Sequence, residues 1–494
     1  MRRAHNGNGI MAGFEVVGLS LACALLIISM IGPAIAPQIT PILGITVDAT
    51  PLVLYFFVFA TIYNAILLTT IALQDQKKWL ESEAQKHAYS IMIPCRNEEN
   101  VIETTINSLI NAQYPSNLIE ILVVNDGSSD GTGQILQKLS QKHSNLTVLE
   151  IAPENSGKGK SAALNKAFKH LMKTSPFRDD PNWIIGVLDA DGRIDSKIFS
   201  KTSHRFQDPK IGAIQVLVRI SNPKASILTI LQDIEFVTFG KITQSARRIF
   251  KGAVALGGNG QFIRAKTLKA IKLSDEEYWR NESLTEDLDL GTRVLLGGWE
   301  TSFLSTTCVY QHGVPTLSAL YKQRTRWSWG ALQCFLKYIP NFKVAKRKIP
   351  ITKKLDLIYY LSATLLPPII LLVWALSIAA IFGLFKIYTP FPTYFLIANS
   401  ISFFPIIGYG LWTVRNEYNS KLMIPLLFLT NAYSYHWVLC TFMAMLRVIR
   451  GKKPEWTVTH KQLIFEPKTN TPKTIQPHTF THSHRTKTRK SKKQ

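Results

Sequence analysis

The sequence predicts an α/β domain, built on a mostly parallel sheet covered on both faces, set between two groups of membrane-spanning helices. Three observations carry that expectation. Short apolar runs rich in β-branched residues alternate with helical patterns between residues 88 and 188, as strands joined by helical crossovers do. Those runs are apolar on successive residues, as in strands buried on both faces. Apolar and charged residues are also segregated. Of the 494 residues 46% are hydrophobic and 18% charged, and the long apolar blocks fall in the first 73 residues and between Asp356 and Leu446. That pattern excludes a disordered chain, a fibrous repeat, a small disulfide scaffold and a channel with no soluble domain.

Taken in order, residues 14–31 with their flanks are long enough to span a hydrocarbon layer of about 30 Å. Ala34-Ile35-Ala36 follows and resembles a signal-peptidase site, so the block reads as a retained helix or as a cleaved leader. Residues 51–73 carry the chain to the cytosol in either case, with Lys77 and Lys78 marking the inner side. Residues 1–80 are thus expected as two N-terminal transmembrane helices. Residues 85–340 form the soluble domain, with strands at 88–93, 119–124, 146–151 and 183–188 and helices at 101–112, 132–143 and 161–174. In such sheets the ligand crevice lies beyond the carboxyl ends of the strands.

Apolar blocks at 356–385, 391–414 and 422–446 predict C-terminal transmembrane helices within 341–447, with Pro367-Pro368 interrupting the first. Three simple crossings would leave a basic tail outside, against the positive-inside rule. An even number is expected instead, with the Pro-Pro block split in two or one block lying along the interface. Residues 467–494 are Thr-, Lys- and His-rich without apolar period and read as a basic disordered tail.

The net charge is +24, from 57 Lys and Arg against 33 Asp and Glu. From Arg447 onward there are 13 Lys and Arg against two Glu. Such a segment is attracted to anionic lipid heads and marks the cytosolic side. No arginine stripe interleaves with aromatics, and no nucleic-acid partner is expected. The five cysteines, Cys23, Cys95, Cys308, Cys334 and Cys440, form no CxxC or metal-ligand cluster and read as reduced thiols.

Five motifs carry chemistry. Asp126 ends the second strand before Gly127-Ser128-Ser129-Asp130-Gly131; it reads as an acceptor for a nucleobase or ribose, or as part of a turn and helix cap. Asp189-Ala190-Asp191 also ends a strand. Carboxylates two apart there can both reach one hard cation, Mg2+ or Mn2+, that shares its coordination with substrate phosphates; the alternative is a polar loop. Gly157-Lys158-Gly159-Lys160-Ser161 opens a helix and offers backbone N–H groups and Lys158 to a diphosphate, or is a flexible basic turn. It is not a P-loop, because Glu154 stands where the first glycine is needed. Thr285-Glu286-Asp287-Leu288-Asp289-Leu290 begins a helix, with Asp287 as a general base for an acceptor hydroxyl or as a complement to the helix N-terminus. In Gln323-Arg324-Thr325-Arg326-Trp327, Arg326 suits bidentate pairing with phosphate and Trp327 offers a flat face to a sugar. The alternative there is a helix at the membrane interface.

In this order, between membrane blocks, the motifs resemble the inverting family-2 glycosyltransferases, specifically the membrane-embedded cellulose, hyaluronan and poly-N-acetylglucosamine synthases. The resemblance covers about residues 88–335 and implies a GT-A fold, a Rossmann-like nucleotide-sugar domain that is cytoplasmic. It implies that Asp126, and Glu98 of Cys95-Arg96-Asn97-Glu98, contact the nucleoside of a UDP-sugar. Lys158 then lies near the base or diphosphate, Asp189 by the ribose and phosphates, and Asp191 on the metal. Asp287 deprotonates the acceptor, Trp327 and Glu286 contact it, and Gln323 and Arg326 hold the leaving diphosphate. One catalytic carboxylate suffices, because the diphosphate leaves without a general acid; a hydrolase wants two, roughly 5–10 Å apart. All the acids are present, which argues against a degenerate scaffold.

Two products fit the resemblance. Trp456-Thr457-Val458-Thr459-His460-Lys461 is similar to the gating loop of bacterial cellulose synthase. That makes 448–466 a cytosolic gating segment with Thr459 and Lys461 on the diphosphate, the alternative being a basic juxtamembrane strand. The implied activity is then transfer of glucose or N-acetylglucosamine to a growing β-linked polysaccharide, with export. Leu256-Gly257-Gly258-Asn259-Gly260-Gln261-Phe262 looks instead like the bacterial β-monoglucosyldiacylglycerol synthases, which implies transfer of one glucose to diacylglycerol. Either places a multi-pass enzyme in the cell membrane among membrane lipids, with an accessory subunit left open.

Overall fold

The run Tyr-Ser-Ile-Met-Ile-Pro-Cys is apolar on both sides of its pleat and forms a central strand, β1 (Tyr89–Cys95). The computed structural model describes residues 66–68, 70–71, 85–249, 251–340, 343–382 and 404–452. After β1 come α1 (Ile102–Ile110), β2 (Ile119–Asn125), α2 (Thr132–Lys142), β3 (Leu146–Glu150), α3 (Lys160–Thr174) and β4 (Ile184–Val187). Each lies within two residues of its predicted bounds. Strands β1, β2, β3 and β4 pair in parallel, Tyr89 standing opposite both Ile119 and Ile184.

The pleat sorts their side chains onto two faces. Ile91, Ile93, Ile121 and Val123 pack with Ile106 of α1 and Leu136 of α2. Met92, Leu122, Val124 and Ile185 pack on the other face with Phe168 and Leu171 of α3. Phe168 is fully buried, which contributes about 1.5–3 kcal/mol by area alone.

The second half departs from the expected parallel sheet. It holds β5 (Arg193–Ile194), α4 (Ile198–Arg205), β6 (Ile211–Ile220), α5 (Ile227–Thr238), α6 (Ser245–Ile249), β7 (Gln261–Arg264), α7 (Ala265–Ala270), α8 (Glu286–Leu296), β8 (Glu300–Gln311) and α9 (Leu317–Tyr338). The eight-stranded order is β3-β2-β1-β4-β7-β6-β8-β5. Strand β7 runs antiparallel to both β4 and β6, and β5 antiparallel to β8, so the sheet is mixed. The chain enters β7 through Gly260, whose φ is +75°; a Cβ there would stand 2.6 Å from Val309 and 2.8 Å from Val216. Only glycine fits that left-handed, crowded position, and it delivers the strand in reverse.

Beyond the domain lie α10 (Ile351–Ser362), α11 (Leu366–Ile381), α12 (Phe404–Thr413), α13 (Met423–Ser434) and α14 (His436–Ile449). Among the described residues one helix, Ile351–Leu372, is long and apolar enough to cross a membrane. Its helical path runs on through Pro367-Pro368, with a 3-10 turn at Ala363–Leu365 between α10 and α11. The apolar block predicted at 422–446 is interrupted at Tyr435 and becomes two helices. The N-terminal blocks, apart from residues 66–68 and 70–71, lie outside the described residues, as do Thr459, Lys461 and the tail.

Candidate active site

The carboxyl ends of β2 and β4, the loop before β7 and the first turns of α3 and α8 supply the predicted acids. Asp126 follows β2 and is buried, and both its oxygens accept from the Gly157 N–H, at 3.1 and 3.2 Å. It therefore fastens the Gly-Lys-Gly-Lys turn. Glu98 lies in the turn ahead of α1: its carbonyl accepts from Val101 and Ile102 N–H, and its N–H donates to the Thr132 hydroxyl at 2.9 Å.

Of the two lysines in that turn, Lys160 enters the acidic group. Lys158 is exposed and reaches Asn155 at 3.4 Å. Lys160 Nζ lies 2.5 Å from Asp189 Oδ1 and 3.7 Å from Glu286 Oε1, and donates to the Gly258 carbonyl at 2.7 Å. Burial works against its charge, but Asp189 and Glu286 outweigh it and hold the ammonium above its ordinary value. Gly258 stands at the centre: a Cβ on it would be 2.9 Å from Lys160 Nζ, 3.4 Å from Asp287 Oδ2 and 3.7 Å from Glu286 Oε1. The Gly257–Gly260 loop is set by side-chain amides. Gln215 accepts from Gly257 N–H and donates to the Asn259 carbonyl, each at 2.8 Å, and Asn259 Oδ1 accepts from Asp189 N–H at 3.2 Å.

Asp287 sits in the first turn of α8, where Leu288 N–H donates to its Oδ1 at 2.7 Å. Burial, and then the neighbouring Glu286 carboxylate, push its carboxyl up to about 7, with Lys160 and Arg326 pulling the other way. Asp289, two residues on, faces elsewhere. It pairs with Arg293 at 2.8 Å and Arg280 at 3.1 Å and accepts from the Tyr338 hydroxyl at 2.7 Å. Asp191 is buried; its Oδ2 accepts from His312 N–H at 2.9 Å and stands 3.8 Å from the His312 ring Nδ1.

Helix α9 brings the last motif. Arg326 donates to the Leu284 carbonyl at 3.4 Å, just before the Thr-Glu-Asp turn. Gln323 accepts from Arg324 at 3.1 Å. Arg324 is fully buried, paired with Glu235 of α5 at 2.8 Å and stacked 4.1 Å from the Trp327 ring centroid. Trp327 in turn lies against Trp437 at 6.4 Å. The structure thus groups Asp189, Glu286 and Asp287 around Lys160, hangs Asp126 on the turn leading to it, and joins Asp191 to the end of β8. His312 and Glu235 are participants that sequence reasoning missed, and no local pattern marks them; Lys160, Gly258, Asn259 and Arg324 stood inside motifs already singled out, without a role of their own.

Residues 87–330 match the sequence profile of glycosyltransferase-like family 2. A β-monoglucosyldiacylglycerol synthase of Nostoc sp. is 30% identical over 380 residues, 75% of this chain and 75% of that one. The chain belongs to glycosyltransferase family 2. The probable glycosyltransferase YdaM of Bacillus subtilis is 31% identical over 284 residues, 57% of this chain. That match spans 64% of YdaM's length, less than two thirds. A poly-β-1,6-N-acetyl-D-glucosamine synthase of Staphylococcus epidermidis is 26% identical over 413 residues, 81% of this chain and 90% of that one. This glycosyltransferase therefore carries its acidic group on a GT-A-like fold with a mixed sheet.

Proposed function

We propose that this glycosyltransferase moves glucose or N-acetylglucosamine from a UDP-sugar to a growing β-linked polysaccharide, with inversion and export. The observation that carries the reading is the gathering of Asp287, Glu286 and Lys160 around Gly258 at the mouth of the sheet, where burial pushes the Asp287 carboxyl up to about 7. A base with that affinity for protons is matched to neutral pH. Asp287 takes the acceptor hydroxyl's proton as that oxygen bonds to the anomeric carbon. The bond to the diphosphate breaks on the opposite face, and its electron pair leaves with UDP. Arg326, whose charge is felt at Asp287, faces the developing negative charge together with Gln323. Glu286 and Trp327 contact the acceptor. Asp126, Glu98, Lys158 and Asp189 serve the nucleoside and diphosphate, and Thr459 and Lys461 cover it.

Mg2+ or Mn2+ fits the donor chemistry at Asp191: a buried carboxylate, the His312 imidazole beside it, and Asp189 two residues earlier. Among the described residues no three His, Cys, Asp or Glu stand together for a metal, so diphosphate oxygens and water would complete its shell. Such an ion supplies charge neutralisation of the leaving group.

The polymer reading is supported by the extent of likeness to the poly-β-1,6-N-acetyl-D-glucosamine synthase, 90% of that chain. A second reading, glucosyl transfer to diacylglycerol, is favoured by the higher identity to the Nostoc synthase and by the Gly257–Gly260 loop lying against the acidic group. Both readings hold the enzyme in the cell membrane through helices on each side of a cytoplasmic domain. Purified protein given UDP-[14C]glucose or UDP-[14C]N-acetylglucosamine with Mg2+ or Mn2+, with and without diacylglycerol, separates them. Label that stays at the chromatographic origin and yields to a glycanase supports the polymer, and chloroform-extractable label the glycolipid. Normal turnover by Asp287→Asn would overturn the base assignment.

A further inference from the structure

Residues 253–259 run between α6 and β7 without belonging to the sheet. Ala253, Val254, Ala255, Leu256 and Asn259 are buried. A buried backbone outside a sheet still needs partners for its N–H and C=O groups. Side chains supply them here at every second residue, the period of an extended chain. Asp356 Oδ2 accepts from Ala253 N–H at 2.6 Å. Gln244 accepts from Ala255 N–H at 3.2 Å and donates to the Ala255 carbonyl at 2.7 Å. Gln215 continues the row on Gly257 and Asn259, and Lys160 takes the Gly258 carbonyl. The segment is also clasped from the side. Val254 packs with Leu217 and Phe303, and Leu256 lies against Gly291 of α8, where a Cβ would stand 3.2 Å from Leu256 Cγ. What holds Ala253 and Ala255 therefore bears on where Gly258 stands.

Both anchors stand in unusual places. Gln244 ends a π-helical turn, Phe239–Gln244, between α5 and α6, a rare form frequent at functional sites. Asp356 belongs to α10, within Ile351–Leu372, which among the described residues is the helix long and apolar enough to cross a membrane. Asp356 and Arg247 are 7 and 2% exposed. Arg247 Nε lies 3.5 Å from Asp356 Oδ1, and its guanidinium 4.2 Å from the ring centroid of Tyr360, one turn further along α10. Leu357 and Leu361 pack with Ala253, with Leu295 of α8 and with Tyr338 of α9. A carboxylate buried in so apolar a helix carries a desolvation cost. What it adds that an apolar side chain could not is the bond to Ala253.

We propose that Asp356 and Gln244 are positioning residues of the transfer reaction. Through residues 253–258 they set the Gly258 carbonyl against Lys160, and Asp356 thereby ties the seating of α10 to the acidic group. The inference rests on the reading of Asp287 as the base and holds for either acceptor.

The full-length enzyme in lipid nanodiscs tests it with the labelled UDP-sugars. Asp356→Ala releases Ala253 N–H, and kcat is expected to fall about 10–10²-fold. A general loss of stability would also lower kcat, so coupling decides. Asp356 and Gly258 have no partner in common among these bonds, and independent sites add. Gly258→Ala crowds Lys160 because the segment cannot yield; with Ala253 released, it can. The fold-loss in kcat from Gly258→Ala should therefore be smaller in the Asp356→Ala background than in the wild-type one. Equal losses in both backgrounds overturn the proposal. Hydrogen exchange gives a second reading that needs no turnover. Peptides covering 253–258 should lose protection in Asp356→Ala while those from β1 and β2 keep theirs; unchanged exchange at 253–258, or loss spread over the sheet, overturns it. If Asp356→Ala does not fold, Gln244→Met, which releases Ala255 and nearly keeps the side-chain volume, takes its place in the same cycle with the same expectation. Normal turnover by Asp287→Asn would remove the base assignment alone and leave the exchange result standing.

Discussion

Lys160 Nζ lies 2.5 Å from Asp189 Oδ1, joining the first residue of α3 to the end of β4. The same ammonium faces Glu286 at 3.7 Å and lowers the proton affinity of Asp287. One cation thus faces three carboxylates, and burial lifts the Asp287 carboxyl to about 7 in spite of it.

Replacing that cation moves the pH profile. In Lys160→Met the charged form of Asp287 loses a favourable neighbour, so its carboxyl rises further above about 7. The working base then appears only at higher pH. The acid limb of kcat against pH should shift upward and turnover at neutral pH should fall. A limb that stays in place would show that another group sets it.

Asp287→Asn should cost about 10²–10⁴-fold in kcat while UDP binding persists. Stability carries an independent signature. Because the folded carboxyl titrates at about 7 rather than 3.8, the fold holds an extra proton between those values. Its stability therefore falls as pH rises through that window. The variant lacks the group and should escape that part of the decline. Melting temperatures of both proteins at about pH 5 and pH 8 should diverge in its favour at the higher pH.

Gly258→Ala tests the closeness of backbone to acid. Its Cβ would stand 2.9 Å from Lys160 Nζ, so the ammonium must shift from Asp189. Displacement of about 1 Å in such a group costs on the order of 10²-fold in rate. We expect kcat to drop with circular dichroism unchanged. Wild-type kcat in this variant would mean that the loop has room to spare.

The Arg324–Glu235 pair holds α9 to α5, with Arg324 fully buried. Removing one partner of a buried pair costs about 3–5 kcal/mol. Arg324→Met and Glu235→Gln should each lower the melting temperature in detergent, and the double variant should lose less than their sum. Arg324→Lys should not rescue, because the guanidinium also stacks 4.1 Å from the Trp327 ring centroid.

Much of this was legible in the chain itself. The strand and helix positions from β1 to β4 follow from apolar period and from Gly and Ser turns, which are local signals. Asp126, Asp189, Asp191 and Asp287 stand out because carboxylates at strand ends and helix starts have few structural duties there. What escaped was every feature decided by distant partners. In Gly-Lys-Gly-Lys the two lysines are alike to a reader of residues. Lys160 points to the acids because it begins a helix beside β4, and Lys158 faces solvent. Asp287 and Asp289 are likewise alike until Arg280 and Arg293 claim the second.

The sequence by itself determined the α/β domain, its acidic motifs, their order and the apolar blocks, because hydrophobic period and turn chemistry act over a few residues. Tertiary structure alone decided the reversed course of β7, the ammonium chosen to neutralise the acids, and the side chains that hold residues 253–259 beside them. Those depend on which side chains meet between distant parts of the chain, where Coulomb attraction and packing in a buried space select one partner among chemically equal candidates.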